Sequence, residues 1–301
     1  MLNNKEWMLI KKVTGNNNPF TGDDCAVWNE KNLVVTTDHM CENYHFDLSF
    51  MPPDSIGWRL MAANASDIIS MGSKPTHCLL NIAAPREKTD IADGMIEGIR
   101  NFTDKYGIKI IGGDTTGADL FMIGATMFGE KPDKPLLRSG AKPGDFVYIA
   151  THTGLSKCGL LHLKKNTPGF ELSKKKFLYP DPFETAPPSF EGINSAIDIS
   201  DSLVSELQLL SKSSKVKIKI NIEAIPVNIE VEKTAQLLKT SIEELILGSG
   251  EEFSLLFTTE MDLKWGHKIG KVYETKEPKV EIFSKDRLFN IDLVKTFDHF
   301  S

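Results

Sequence analysis

The sequence predicts an α/β protein of two domains, and three observations carry the prediction. Short apolar or β-branched runs alternate with longer stretches of helical period. The chain has 301 residues, twice the ~150 of an average domain. Between two apolar runs, Lys131 to Asp145 packs three prolines and two glycines, as a linker does. The boundary is placed there, giving expected domains 1–137 and 138–301.

In the first domain Leu33–Asp38, Cys78–Ala83, Ile108–Ile111 and Leu120–Glu130 read as strands bounded by turn residues. Two helices separate them. One runs from about Ser55 to Met71, with Asp54 or Ser55 as its cap and Gly72 as its stop. The other has Ile91, Met95, Ile99, Phe102 and Tyr106 at helical spacing and ends at Gly107. Past the linker, Phe146–Thr151 reads as a strand and Thr153-Gly154 opens a helix. Lys164 to Ser189, rich in Lys, Pro and Phe, is expected to be mobile. Asp198–Asp201 precedes a helix with Leu203, Leu207 and Leu210 on one face. Val216 to Ile222 alternates as a half-exposed strand does, and Phe253–Thr258 reads as another strand.

Composition excludes several classes. A net charge of −6 and a pI near 5.7 argue against broad binding to nucleic acid or to a membrane surface. No run of ~18 apolar residues is present to span a bilayer. Met1 to Val13 lacks the apolar core and cleavage site of a signal peptide. Cys25, Cys41, Cys78 and Cys158 lie far apart, with no Cys-x-x-Cys, so neither a zinc site nor a disulfide framework is expected and a reducing cytoplasm fits. The phosphate loop Gly-x-x-x-x-Gly-Lys-Ser/Thr, the dinucleotide fingerprint and the common hydrolase motifs are missing.

What stands out is acid where the chain stops being regular: Asp23-Asp24 after Gly22, Asp38 at a strand end, Asp67 late in a helix, Asp114 after Gly112-Gly113, and Asp198 with Asp201. Any one of them serves equally as a helix cap or a turn residue. Jointly they suggest a ligand site, because α/β proteins place ligand-contacting residues at strand ends. Gathered carboxylates repel one another unless cations neutralise them, and hard oxygen donors suit Mg²⁺. A site with several Mg²⁺ ions suits phosphoryl transfer, where metal bridges the oxygens of two anionic reactants. Arg138, in the linker, offers a guanidinium fork for phosphate, or is simply a solvated charge.

Together these motifs resemble thiamine-monophosphate kinase, in the superfamily of aminoimidazole ribonucleotide synthetase. The matching stretches are Gly22–Val27, Thr36–Asp38, Tyr44–Phe46, Ile56–Trp58, Asn64–Asp67 with Met71-Gly72, Gly112–Thr115, Arg138–Asp145, Asp198–Asp201, Gly250–Phe253 and Phe297–Phe300, in the family's order. The resemblance implies two α/β domains of the synthetase type, with the N-terminal domain forming a homodimer interface. It implies Mg²⁺ on Asp24, Thr36, Thr37, Asp38, Asp67, Asp114, Asp198 and Asp201, and ATP contacts from Tyr106, Gly113, Asp114, Arg138 and Ser200. His45, Glu251 and Phe297 match the positions that contact thiamine monophosphate. The reaction implied is direct transfer of the γ-phosphoryl group of ATP to thiamine monophosphate, with Asp198, Asp201 and Arg138 carrying the catalysis. A thiazolium cation is attracted to a carboxylate and to an aromatic face, so Glu251 and Phe297 suit it chemically.

The chain departs from the family's pattern at Ser202, where the family has Gly, and at Glu252-Phe253-Ser254. Phe177 to Phe183 stands where the family tends to have an Arg-Pro-x-Pro-Arg segment, and Thr151–Ser156 thins a glycine-rich pattern. These changes bear on phosphate grip in the second domain. The rival readings are another ATP-using enzyme of the superfamily, against which the Glu251 and Phe297 segments argue, and a non-catalytic nucleotide-binding paralogue, against which the retained acids argue.

Overall fold

Alternation of short strands with helices produces two sheets in a computed structural model, which describes residues 4–15 and 18–296. After α1 (Asn4–Thr14), the first half of the chain forms β1 (Ala26–Trp28), β2 (Leu33–Cys41), α2 (Pro53–Ser70), β3 (Pro75–Ala84), α3 (Thr89–Tyr106), β4 (Lys109–Gly117) and β5 (Met122–Glu130). The strands make one sheet in the order β1-β2-β5-β3-β4, antiparallel except for the β3–β4 pair.

α2 lies between this sheet, α3 and the second half of the chain, so it is buried nearly all round rather than on one stripe. That accounts for its composition. Apolar Ile56, Leu60, Met61, Ile68 and the small Ala62 and Ala65 pack the core, while the buried polar Arg59, Asn64, Ser66 and Ser70 all find partners. Neither Asp54 nor Ser55 caps the helix. It starts two residues earlier, with Pro53 at the first position, where a missing N–H costs nothing.

The second half supplies β6 (Phe146–Ile149), α4 (Leu155–Lys164), α5 (Glu171–Leu178), β7 (Ile193–Asp198), α6 (Leu203–Ser214), β8 (Lys217–Asn221), α7 (Ile229–Leu238), α8 (Ile242–Leu247), β9 (Leu255–Thr259), β10 (His267–Tyr273), β11 (Lys279–Ser284) and β12 (Arg287–Leu288). Its seven-stranded sheet runs β12-β11-β8-β10-β6-β9-β7. Leu203, Leu207 and Leu210 of α6 pack with Val147, Ile149, Ile218 and Ile220 in its core, as the helical and alternating patterns predict.

Three further expectations are corrected. β4 runs through Gly112-Gly113 instead of ending there, so Asp114, like Asp38, lies within a strand. A glycine is needed at 113 because a Cβ would lie 1.9 Å from the Leu80 carbonyl oxygen on the neighbouring strand. Asp198 closes β7 and Asp201 sits in the following turn, so the two acids do not share a helix face; Ser202 is the cap of α6, accepting from the Ser205 amide at 3.1 Å. Finally, Lys164 to Ser189 is largely structured. It contains α5, and Tyr179 and Trp58 pin it down by donating to Asp54 and to the Pro180 carbonyl, both at 2.7 Å.

Candidate active site

Asp24, Asp67 and Asp198 come from the loop before β1, the last turn of α2 and the end of β7, and their carboxylate oxygens lie within 4.8 Å of one another. Each acid receives a hydroxyl: Thr36 donates to Asp67 at 2.6 Å, Ser66 to Asp198 at 2.7 Å, and Ser70 to Asp24. These bonds hold the three carboxyl groups close together. Arg138 grips Asp24 through Nε at 2.9 Å and through Nη2, and its amide donates to both oxygens of Asp23 at 3.2 Å.

Burial is the first cause that raises the proton affinity of Asp67 and Asp198; for Asp67 the neighbours Asp38, Asp198 and Asp24 add to it, and for Asp198 the neighbour Asp24. Glu206 behaves alike, through burial and then Asp201 and Asp198. Asp23 is pushed up to about 7, again by burial first and Asp24 second. Three convergent carboxylates that offer only hard oxygen donors, with burial opposing the charged form of Asp67 and Asp198, fit a divalent cation such as Mg²⁺.

The acids line a cleft of about 1220 Å³ between the two sheets. Thr36, Thr37, Asp38, His45, Arg138, Ser200, Asp201, Glu206 and Glu251 share its wall. Thr37 is turned toward β5, its hydroxyl donating to the Ala125 carbonyl at 3.1 Å. Half-buried His45 accepts from the Cys41 amide on Nδ1 at 3.0 Å. The Gly250–Phe253 turn abuts the acid loop directly: the Glu251 amide donates to the Ser200 carbonyl at 2.6 Å, and the Phe253 amide to that of Ile199 at 3.0 Å. A Cβ on Gly250 would lie 2.3 Å from the Asp201 carbonyl oxygen, so only glycine permits the approach.

Other expected residues stand elsewhere. Tyr106, Gly113 and Asp114 do not line the cleft. Pairing places Gly113 three strands from Asp38, through Leu80 and Ala125, which at ~4.8 Å per strand is ~14 Å. Asp114, next along β4, is therefore too far to share an ion with Asp38 in the same chain. Tyr106 stacks on Phe183 at 3.9 Å between ring centres and donates to Asp181. Phe297 lies outside the described residues. Conversely, Ser66 and Ser70 carry weight that sequence reading did not assign. The available sign is Asn64, Ser66 and Asp67 close together after the apolar run Leu60–Ala63 of α2.

Known proteins resemble this chain along most of its length. A thiamine-monophosphate kinase of Pyrococcus horikoshii is 37% identical over 251 residues, 79% of this chain and 76% of that protein. The chain belongs to the thiamine-monophosphate kinase family. The Bacillus subtilis member is 31% identical over 306 residues, 93% of this chain and 92% of its own length. The AIR synthase related protein, N-terminal domain family matches residues 22–130, the stretch that carries Asp24, Thr36, Asp38 and Asp67. Among solved structures of the kinase family, AaThiL complexed with AMPPCP and TMP superposes with a TM-score of 0.84 at 27% identity, covering 98% of this chain and 96% of that one. The segment from Phe177 to Phe183 packs against the first half of the chain: Phe177 is buried under Arg59, Phe183 packs on Tyr106, and Asp181 accepts from Lys105 at 2.7 Å.

Proposed function

We propose that this chain phosphorylates thiamine monophosphate with ATP, giving thiamine diphosphate and ADP in a Mg²⁺-dependent reaction. The observation that carries the reading is the convergence of Asp24, Asp67 and Asp198 within 4.8 Å, in a cleft that also holds Arg138 and Glu251. Asp24, Asp67 and Asp198, with Asp38 and Asp201 beside them on the cleft wall, would hold the metal. Bound Mg²⁺ would supply neutralising charge for phosphate oxygens brought together in the cleft.

The chain's own groups do the rest. Thr36, Ser66 and Ser70 keep the carboxylates aimed, and Arg138 contributes a guanidinium for the anionic donor. Glu251, its side chain 35% exposed, offers a carboxylate to the thiazolium cation, with Phe177 and Phe253 among the apolar walls nearby. An oxygen of the acceptor phosphate attacks the γ-phosphorus in line, the bond from that phosphorus to the β,γ-bridging oxygen breaks, and ADP leaves with the electron pair. The acceptor is itself the nucleophile, so positioning and electrostatics suffice without a covalent enzyme intermediate.

The active form is proposed to be a homodimer joined through the first sheet. β4 is an edge strand exposed at all nine residues, and Ile110 and Ile111 are 42% and 56% exposed. An open strand edge that carries two exposed isoleucines invites pairing. This arrangement also gives Gly113 and Asp114 a route to a second chain's ligands.

Incubation of the purified protein with ATP, Mg²⁺ and thiamine monophosphate tests the function. Thiamine diphosphate formed in step with ADP supports it. ADP formed at the same rate without thiamine monophosphate overturns the acceptor assignment.

A further inference from the structure

Arg59 is fully buried on α2, does not line the cleft, and belongs to none of the site residues named above. Its guanidinium forks: Nη1 donates to the Phe177 carbonyl, Nη2 pairs with Glu251 Oε1, and Cζ lies over the Phe177 ring, 4.1 Å from its centre. Among the described residues, Glu251 is its ion-pair partner, while Nε has none. Burying a guanidinium costs several kcal/mol unless its partners are well placed. A group that served only to fill this space would be met more cheaply by an apolar side chain.

The position along α2 gives the pair a meaning. Arg59 and Ser66 are seven residues apart, so they share one face of the helix two turns, ~10.5 Å, apart. Arg59 holds Glu251 in the Gly250–Phe253 turn, and Ser66 holds Asp198 at the end of β7, both in the second half of the chain. Glu251 (φ +53°) and Phe253 (φ +43°) occupy the left-handed region without being glycine, a conformation that persists only where surroundings enforce it. The Arg59 pair and the backbone bonds to Ser200 and Ile199 provide that enforcement.

We infer that Arg59 is a positioning residue for the acceptor: it fixes the Glu251 carboxylate at a set distance from the acid cluster, with α2 as the rigid spacer. The inference rests on the reading of Glu251 as an acceptor contact. Arg59 acts through Glu251 and touches neither substrate. Lysine cannot replace it, since one ammonium reproduces neither the fork nor the stacking on Phe177.

Steady-state kinetics on Arg59→Lys, Arg59→Met, Glu251→Gln and the Arg59→Met/Glu251→Gln double variant test this. Arg59→Lys, which keeps the charge and volume needed to fold, and Arg59→Met should each raise KM for thiamine monophosphate roughly tenfold, the loss expected when one charge-assisted bond goes. KM for ATP should stay within about twofold. The double variant should be no worse for the acceptor than Glu251→Gln alone. A raised KM in Glu251→Gln with an unchanged one in Arg59→Lys overturns the positioning role, as do equal rises for both substrates or fully additive effects. An unchanged KM in Glu251→Gln overturns the acceptor reading of Glu251, and this inference with it.

Discussion

Arg138 and Asp24, 114 residues apart in sequence, face each other with Nε 2.9 Å from Oδ1, and the same carboxylate accepts from Ser70 through Oδ2. An arginine between β5 and β6 is thereby locked to an acid of the proposed metal cluster.

Substituting Arg138 by Lys should therefore lower kcat/KM for ATP about tenfold or more, because a point charge does not reproduce the two-pronged contact. Arg287 is exposed on the short edge strand β12, and Arg287→Lys should change nothing measurable. Kinetics of the two variants side by side check this; equal, negligible effects would return Arg138 to a plain structural role.

Asp201→Asn should cut kcat at least ~100-fold while shifting the melting temperature little. The helix cap after Asp201 is Ser202, so the substitution leaves α6 capped. It removes an anion from the cleft wall, and each ~1.4 kcal/mol of lost transition-state stabilisation slows the reaction tenfold. Normal turnover in this variant would take Asp201 out of the site.

Acid should stabilise the metal-free protein through Asp23. In the unfolded chain its carboxyl ionises near 3.8; folded, it holds its proton up to about 7. The unfolded state then loses its proton first, so this contribution is fully present below pH ~4 and falls away as pH rises through about 7. Three units correspond to ~4 kcal/mol at most. Melting of EDTA-treated wild type and Asp23→Asn at pH 5 and pH 8 is the check. Wild type should lose several degrees more than the variant over that range, and parallel losses would disprove the assignment.

Adding Mg²⁺ at pH 7.5 should raise the melting temperature of the protein in a concentration-dependent way and restore activity lost in EDTA. Ser66→Ala should weaken both responses, since the Asp198 carboxylate loses its buried hydroxyl donor. Full turnover in EDTA would remove the metal from the account.

Much of this was legible in the sequence because local chemistry announces it. Asp24 in its loop, Asp67 late in α2, Asp198 and Asp201 after an apolar run, and the helical spacing of α3 are all short-range patterns, whereas Asp38 and Asp114 lie inside strands instead of at their ends. The failures come from long-range partners. Lys164–Ser189 reads as loose because its anchors, Asp54, Trp58, Arg59 and Lys105, lie 76 to 125 residues away. β4 reads as ending early because Gly112-Gly113 is a turn pair in isolation. Only packing against Leu80 makes it an extended strand. Nothing local marks out Arg59, because its partner Glu251 lies 192 residues away.

The most direct test follows the phosphorus itself. With ATP labelled in the γ-phosphate, Mg²⁺ and thiamine monophosphate, the label should appear in the terminal phosphate of thiamine diphosphate, equimolar with ADP, and the protein should stay unlabelled. Label recovered on the protein, or entirely in inorganic phosphate with no thiamine diphosphate formed, would contradict direct transfer in this cleft.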